Sequence, residues 1–311
     1  MNKVIVTGGA GFIGSYLSEM LVEQGCQVTI IDDLSTGKID NTNALLRNRG
    51  VEFVQGSITD FNTLQKVVKG AEYIFHLAAI PSVPRSIENP QATNNVNVNG
   101  TLNVLLAARE QNIRKVVYSS SSSVYGDTKV LLKKEDMAPQ PLSPYAVSKL
   151  TGEYYCRVFH RVYQLPTVCL RYFNVYGPRQ DPASQYAAAI PRFITQVLSG
   201  KPVTIYGDGE QTRDFTFVKD AVEANILAAE SDASGVYNIG SGENITINHL
   251  AKLIAELSGK KMKWVFQDTR AGDVRHSLAD ISAAKAFGYK PKYNLKDGLI
   301  ETIGWFNGRH S

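Results

Sequence analysis

The sequence predicts a doubly wound parallel α/β sheet with a smaller C-terminal α/β domain, and three observations carry that expectation. An apolar run, Val4-Ile5-Val6, breaks into glycines at Gly8, Gly11 and Gly14 and resumes as an amphipathic pattern, which reads as strand, tight turn and helix. A second apolar run, Gln27 to Ile31, ends in Asp32, eighteen residues beyond Gly14. Strand-length and helix-length segments then alternate as far as Tyr118. That is the rhythm of βαβ units, whose ligands bind beyond the carboxyl ends of the strands.

The first turn has the form of a dinucleotide-binding (Rossmann) fingerprint. Gly8 and Gly11 let the turn close and let backbone N–H groups approach a pyrophosphate at the positive end of the helix, and Gly14 lets that helix lie against the strand. Asp32 can accept both hydroxyls of an adenosine ribose while its charge repels a 2′-phosphate, so NAD is expected rather than NADP. Asp33-Leu-Ser-Thr-Gly37 is a turn-rich loop beside the adenosine, and Val51 to Val54 is a third strand before Gly56-Ser57-Ile58. Thr63 to Val68 reads as helix, Tyr73 to Leu77 as a buried strand, and Ala78-Ala79 as a loop of small side chains against which a flat cofactor can lie. Asn94 to Glu110 has helical spacing. Its asparagine-rich start, Asn97 included, is read equally as holding loop backbone and as touching the cofactor.

Lys115 to Tyr118 is the next strand, and five serines, Ser119 to Ser123, follow it directly, which places several hydroxyls at the mouth of the sheet. Ser143-Pro144 opens a helix, the hydroxyl as cap and the proline in the first turn. Tyr145 and Lys149 then share one helical face at i,i+4. There the ammonium is expected to stabilise a phenolate and bring the tyrosine down from its ordinary value of about 10, making the two a catalytic pair.

Beyond the strand Val168 to Tyr172 the pattern changes to mixed segments rich in Gly, Pro and aromatics. The division expected is 1–174 for cofactor binding and 175–311 for substrate binding, with about 213–240, Thr216-Phe-Val218 in particular, returning to the first sheet. Arg213, Arg270 and Arg275 suit a diphosphate, whose oxygens accept forked guanidinium bonds.

Composition narrows the classes. The 311 residues carry a net charge of +4, but the basic residues are scattered, so nucleic acid is not an expected partner. Cys26, Cys156 and Cys169 lie far apart with no CxxC, so neither metal nor disulfide is expected. A core strand begins by Val4 and no apolar run approaches ~18 residues, so a soluble cytoplasmic protein without membrane association is expected.

With TGGAGFIG, Ser121, Tyr145-xxx-Lys149, LRYFNVYGPRQ and GDGEQTRDF in order, the chain resembles an extended short-chain dehydrogenase/reductase, more narrowly the UDP-sugar 4-epimerases, over nearly its whole length. The resemblance implies NAD as cofactor, a UDP-sugar as substrate and a homodimer. It makes Tyr145 the base, Lys149 its pKa partner and nicotinamide-ribose contact, and Ser121 a hydrogen-bond donor to the reacting sugar oxygen. The cofactor set it implies is Gly8, Gly11, Phe12, Ile13, Gly14, Asp32, Asp33, Ser35, Thr36, Gly37, Ser57, Ile58, Leu77, Ala78, Ala79, Asn97, Tyr145, Lys149 and Tyr172. Its substrate set is Ser82, Val83, Ser121, Ser122, Ser123, Tyr145, Asn174, Tyr206, Arg213, Arg270, Asp273 and Ser277. Ser57 stands where many relatives have Asp, and Ile80-Pro81 where several have Lys, so the adenine and nicotinamide walls are expected to differ.

The activity implied is 4-epimerization through a transient 4-keto sugar, with the same hydride returning to the other face. Ser277, four residues beyond Asp273, leaves room for an N-acetyl group where a Tyr would restrict the enzyme to UDP-glucose and UDP-galactose; the competing reading is that Ser277 caps a helix near Asp280. The alternatives are UDP-glucuronate 4-epimerization, a dehydratase or decarboxylase, and a silent NAD-binding regulator. Similar lyases carry an acidic residue at the position of Ser123, and the intact Ser–Tyr–Lys set disfavours the regulator.

Overall fold

The structure, a computed structural model, describes residues 1–182, 188–269 and 274–308. The chain opens with strand β1 (Lys3–Thr7), helix α1 (Phe12–Glu23) and strand β2 (Gln27–Asp32), followed by β3 (Val51–Gln55), α2 (Phe61–Val67) and β4 (Tyr73–His76). Helices α3 (Val83–Glu88), α4 (Pro90–Asn94) and α5 (Gly100–Glu110) lead to β5 (Lys115–Ser121). Then come β6 (Leu132–Lys133), the long α6 (Pro144–Tyr163) and β7 (Thr167–Tyr172). One seven-stranded sheet runs β3-β2-β1-β4-β5-β7 and ends on Gly235–Ile239, every pair parallel. Its central strands are buried on both faces, which is why Val4–Val6 and Val116–Tyr118 read as unbroken apolar runs.

The Asn94 to Glu110 segment is helical as expected, with one refinement. Residues Asn95–Asn99 between α4 and α5 form a π-helical turn, the wide turn that inserts one extra residue per loop and re-aims a side chain. It is Asn97 that turns inward there, almost fully buried.

The return to the first sheet lies within 213–240, but at a strand other than Thr216–Phe217. Thr216–Phe217 pairs in parallel with Val175–Tyr176 as a separate two-stranded ribbon, and the strand that joins β7 is Gly235–Ile239. Thr216 spends its hydroxyl on the Phe173 carbonyl at 2.6 Å, which holds the ribbon against the end of the sheet without continuing its ladder. Among the described residues no helix is long and apolar enough to cross a membrane.

Candidate active site

Strand order reverses between β1 and β4, so the crevice of the sheet opens at Thr7 and His76, where ligands of open α/β sheets bind. Gly8 follows with φ +72°, and a Cβ added to it would meet the Ala78 backbone nitrogen at 2.7 Å, so the turn after β1 lies directly on the Leu77–Ala79 loop. A Cβ on Gly14 would meet the Gly8 carbonyl oxygen at 2.2 Å. Gly11 caps α1 with no side chain, leaving the first-turn N–H groups open to an anion, with Phe12 and Ile13 half-buried beside them.

Asp32, nearly buried, accepts the Ala10 N–H at 3.0 Å and the Leu34 N–H at 2.8 Å. Burial pushes its carboxyl upward and those two donors oppose it. A Cβ on Gly37 would sit 2.9 Å from both carboxylate oxygens, so only glycine passes here. Beyond it Asp33 accepts the Ser35 N–H, and Ser35 and Thr36 are exposed. Ser57 turns its hydroxyl to Thr59 at 2.9 Å, and Ile58 is buried against Gly100. This cradle, with close backbone, open helix N–H groups and an acid with unused lone pairs at the second strand, fits a dinucleotide.

On the other side of the crevice, Ser119, Ser120 and Ser121 belong to β5 itself, and Ser121 caps a single helical turn, Ser122–Tyr125, by accepting the Ser123 N–H at 3.1 Å. Ser143 caps α6 as expected, accepting from Ala146 at 3.1 Å with Pro144 in the first turn. Tyr145, Lys149 and Glu153 then share one face of α6. Lys149 donates to the Ser119 carbonyl at 2.8 Å and lies 6.0 Å from the centre of the Tyr145 ring.

The electrostatics correct one expectation. Tyr145 is raised above its ordinary value, because burial disfavours the phenolate and a hydrogen bond with Ser121 offsets only part of that. Lys149 itself is brought down to about 8 by burial, against which the charge of Glu153 works. Desolvation of both groups therefore outweighs their pairing.

Sequence reading missed the support beneath them. Glu153 forms a buried two-bond ion pair with Arg171, Nε to Oε1 at 2.9 Å and Nη2 to Oε2 at 2.7 Å, and also accepts from Ser120. The signal was present in an acidic residue four beyond Lys149 on the buried face of an amphipathic helix. Ser123 Oγ is buried with no partner among the described residues.

Of the expected cofactor and substrate residues, several are brought to the crevice and others are engaged elsewhere. Asn97 holds the Ile80 backbone, accepting its N–H at 2.8 Å, and donates to Ser148 Oγ at 3.0 Å, so its loop-holding reading is the one the geometry supplies. The Tyr172 hydroxyl is taken by Asn225 at 2.9 Å and Ser119 at 3.1 Å. Ser82 caps α3 by accepting from Arg85, with Val83 as its first residue. Asn174, at φ +33°, donates to the Asp214 carbonyl at 2.7 Å and to Ser277 Oγ at 3.3 Å. Ser277 is 5 % exposed and lies before the short strand Leu278–Ala279; it caps no helix. Arg213 donates to the Thr212 and Arg275 carbonyls and lines a groove of about 580 Å³ with Phe215, Ser241, His249 and Lys292. Arg275 is held in an exposed two-bond pair with Asp208. The Tyr206 ring lies 4.9 Å beneath the Arg192 guanidinium. Arg270 and Asp273 lie outside the described residues.

A reversed-order parallel sheet with this glycine turn, acid, serine and Tyr–Lys helix is that of an extended short-chain dehydrogenase/reductase, and the chain belongs to the NAD dependent epimerase/dehydratase family, whose model matches residues 4–240. Within the family its similarity is to UDP-sugar 4-epimerases. It is 44 % identical to the UDP-N-acetylglucosamine 4-epimerase of Methanobrevibacter ruminantium, solved with UDP-N-acetylmuramic acid, over 99 % of both chains with a TM-score of 0.95. It is 39 % identical to the UDP-glucose 4-epimerase of Thermotoga maritima, solved with UDP-glucose, over 99 % of this chain and 100 % of that one with a TM-score of 0.95. A putative UDP-glucose 4-epimerase of Methanocaldococcus jannaschii is 38 % identical over 99 % of both.

Proposed function

We propose that this chain is an NAD-dependent 4-epimerase that interconverts UDP-GlcNAc and UDP-GalNAc as well as UDP-glucose and UDP-galactose. The observation that carries the sugar assignment is Ser277. It is a small, nearly buried side chain held by Asn174, in a place where a Tyr would bring a ring into the same wall. The similarity to a Methanobrevibacter enzyme solved with an N-acetylated UDP-sugar supports the same choice.

In this reading Tyr145 takes the proton of the sugar O4 and later returns it, with Ser121 hydrogen-bonded to both the phenol and the sugar oxygen. Lys149 supplies the positive charge that compensates the phenolate, which burial alone disfavours. NAD, held by the glycine turn, Asp32 and the Leu77–Ala79 loop, supplies a reversible hydride acceptor. Arg213, Arg270 and Asp273 anchor the diphosphate, so that the 4-keto sugar can turn about that anchor and present its other face. The test is incubation with UDP-GlcNAc, UDP-glucose and UDP-glucuronate, without added cofactor, with products read by NMR. Conversion of UDP-glucose alone would remove the Ser277 argument and leave the epimerase standing.

One observation favours UDP-glucuronate as a second reading. Ser123 Oγ is buried and unpartnered among the described residues, beside Ser122, and a sugar carboxylate would give it an acceptor. The same hydroxyls disfavour the dehydratase and decarboxylase readings, since elimination needs an acid or base at this wall and serine supplies neither.

A further inference from the structure

His76 ends the central strand β4, is fully buried and has no part in the chemistry above. Its neighbours form a chain of hydrogen bonds whose direction is fixed by proton counting. Thr101 donates its one hydroxyl proton to the Asn97 carbonyl at 2.6 Å. Its oxygen, 2.9 Å from His76 Nε2, can then only accept, so Nε2 carries the hydrogen. In a neutral ring Nδ1 is then an acceptor. It takes the hydroxyl proton of Thr7 at 2.7 Å, while the Thr7 oxygen accepts the Ala78 N–H at 3.2 Å. At the other end Asn97 donates to Ser148 Oγ, which donates to the Tyr145 carbonyl at 2.7 Å. The opposite tautomer would leave the Thr7 proton and the Thr101–Asn97 bond without a place.

The chain thus runs from Ala78, in the loop packed on the Gly8 turn, through β4 and the π-helical turn to the first turn of the helix that carries Tyr145 and Lys149. We propose that His76 is a positioning residue, locked as the neutral Nε2–H tautomer, that sets the place of the cofactor loop relative to the catalytic helix. A second proton on the ring would turn Nδ1 into a donor facing the Thr7 hydroxyl and reverse the chain at its centre. The charged or titratable groups that face the ring are Lys149, whose cation opposes that proton, and the Tyr118 phenol, its ring 5.6 Å away. Burial, with Lys149, brings His76 down to about 3, consistent with a ring that stays neutral in the working range. The inference rests on the NAD-dependent epimerase reading for its purpose, but its first test needs no turnover.

That test is 15N NMR of the histidine rings in the protein as purified. The expected result is a His76 ring protonated at Nε2 alone and unchanged from pH 5 to 9; an Nδ1–H ring, or one that titrates in that range, overturns the proposal. The second test compares Thr101→Val, which keeps the shape and removes the hydroxyl, with Thr101→Ser. The Val variant, which unlinks the cofactor loop from the helix network, is expected to bind NAD about tenfold more weakly, and the Ser variant to restore it. A Val variant that folds and holds NAD as the wild type does makes the network packing only and overturns the proposal. Should that variant fail to fold, the tautomer still decides. Absence of epimerization in a protein with the expected tautomer would count against the proposed function instead.

Discussion

The Lys149 ammonium donates to the Ser119 carbonyl at 2.8 Å, two residues ahead of Ser121, so one buried cation pins the strand that carries the serine to the helix that carries Tyr145. Replacing it with Met removes the charge that offsets a buried phenolate. The acid limb of the activity profile, which reports loss of the Tyr145 proton, is then expected to move to higher pH by about one unit. Stability should change the other way. With its folded value at about 8, below the free 10.5, Lys149 contributes fully only above 10.5, and that contribution is lost as pH falls through 8. At pH 7 the Met variant is therefore expected to melt no lower than the wild type, and a clear drop in melting temperature would contradict this.

Tyr145→Phe keeps the ring on α6 and deletes the proton carrier. Turnover is expected to fall by about 10³-fold with UDP-sugar affinity little changed, because the hydroxyl serves proton transfer more than binding. Isothermal titration beside a rate assay separates the two.

NAD is expected to copurify, since a hydride recycled within each turnover gives no reason to release the cofactor. Asp32→Asn should lower the amount retained and weaken the preference over NADP by removing the charge, while its amide disturbs the Ala10 and Leu34 contacts. Chromatography of the nucleotide released on denaturation reads both effects. An empty wild type that prefers NADP would refute the role given to Asp32.

Ser277→Tyr should suppress the N-acetylated reaction by more than tenfold and spare UDP-galactose, a discrimination built from a clash as well as a lost contact. It also removes the oxygen that accepts from Asn174, but that amide keeps its bond to the Asp214 carbonyl, so the loop is expected to hold. Paired assays on UDP-GalNAc and UDP-galactose decide it; equal losses on both would mean general damage.

Acid should find His76. Its folded value, about 3, lies below the free value of 6.5, so it contributes stability in full above 6.5 that is lost as pH falls towards 3. His76→Asn binds no such proton on unfolding. Its unfolding free energy is therefore expected to fall less steeply than the wild type's across that window, as denaturant titrations at stepped pH would measure.

Much of the cofactor side was legible because it is local. The glycine spacing, the acid ending β2 and the Tyr–Lys pair each lie within one turn or one strand, and the observed β1–α1–β2 unit and α6 place them where that spacing implies. What escaped depends on pairing across the fold. Thr216–Phe217 is only two residues long and carries no periodicity of its own, so its partner could not be read from the chain. The raised Tyr145 follows from burial in three dimensions, which i,i+4 spacing does not report. His76 looked like one more residue of a buried strand, because the threonines that fix it come from β1 and α5.

One of the two edge strands of the main sheet, Gly235–Ile239, has an effect on how the protein is made. Synthesis proceeds from the amino terminus, so β7 leaves the ribosome long before the strand that will cover it, and through residues 173–234 the nascent sheet ends in a largely apolar strand whose outer N–H and C=O groups are unpaired. A chain that stops at Asn174 would keep that edge open for good. Such a fragment is expected to aggregate where the full chain does not, and light scattering during parallel translation of the two would show the late-arriving strand covering β7 and leaving an end strand whose Asn238 N–H is taken by Glu135.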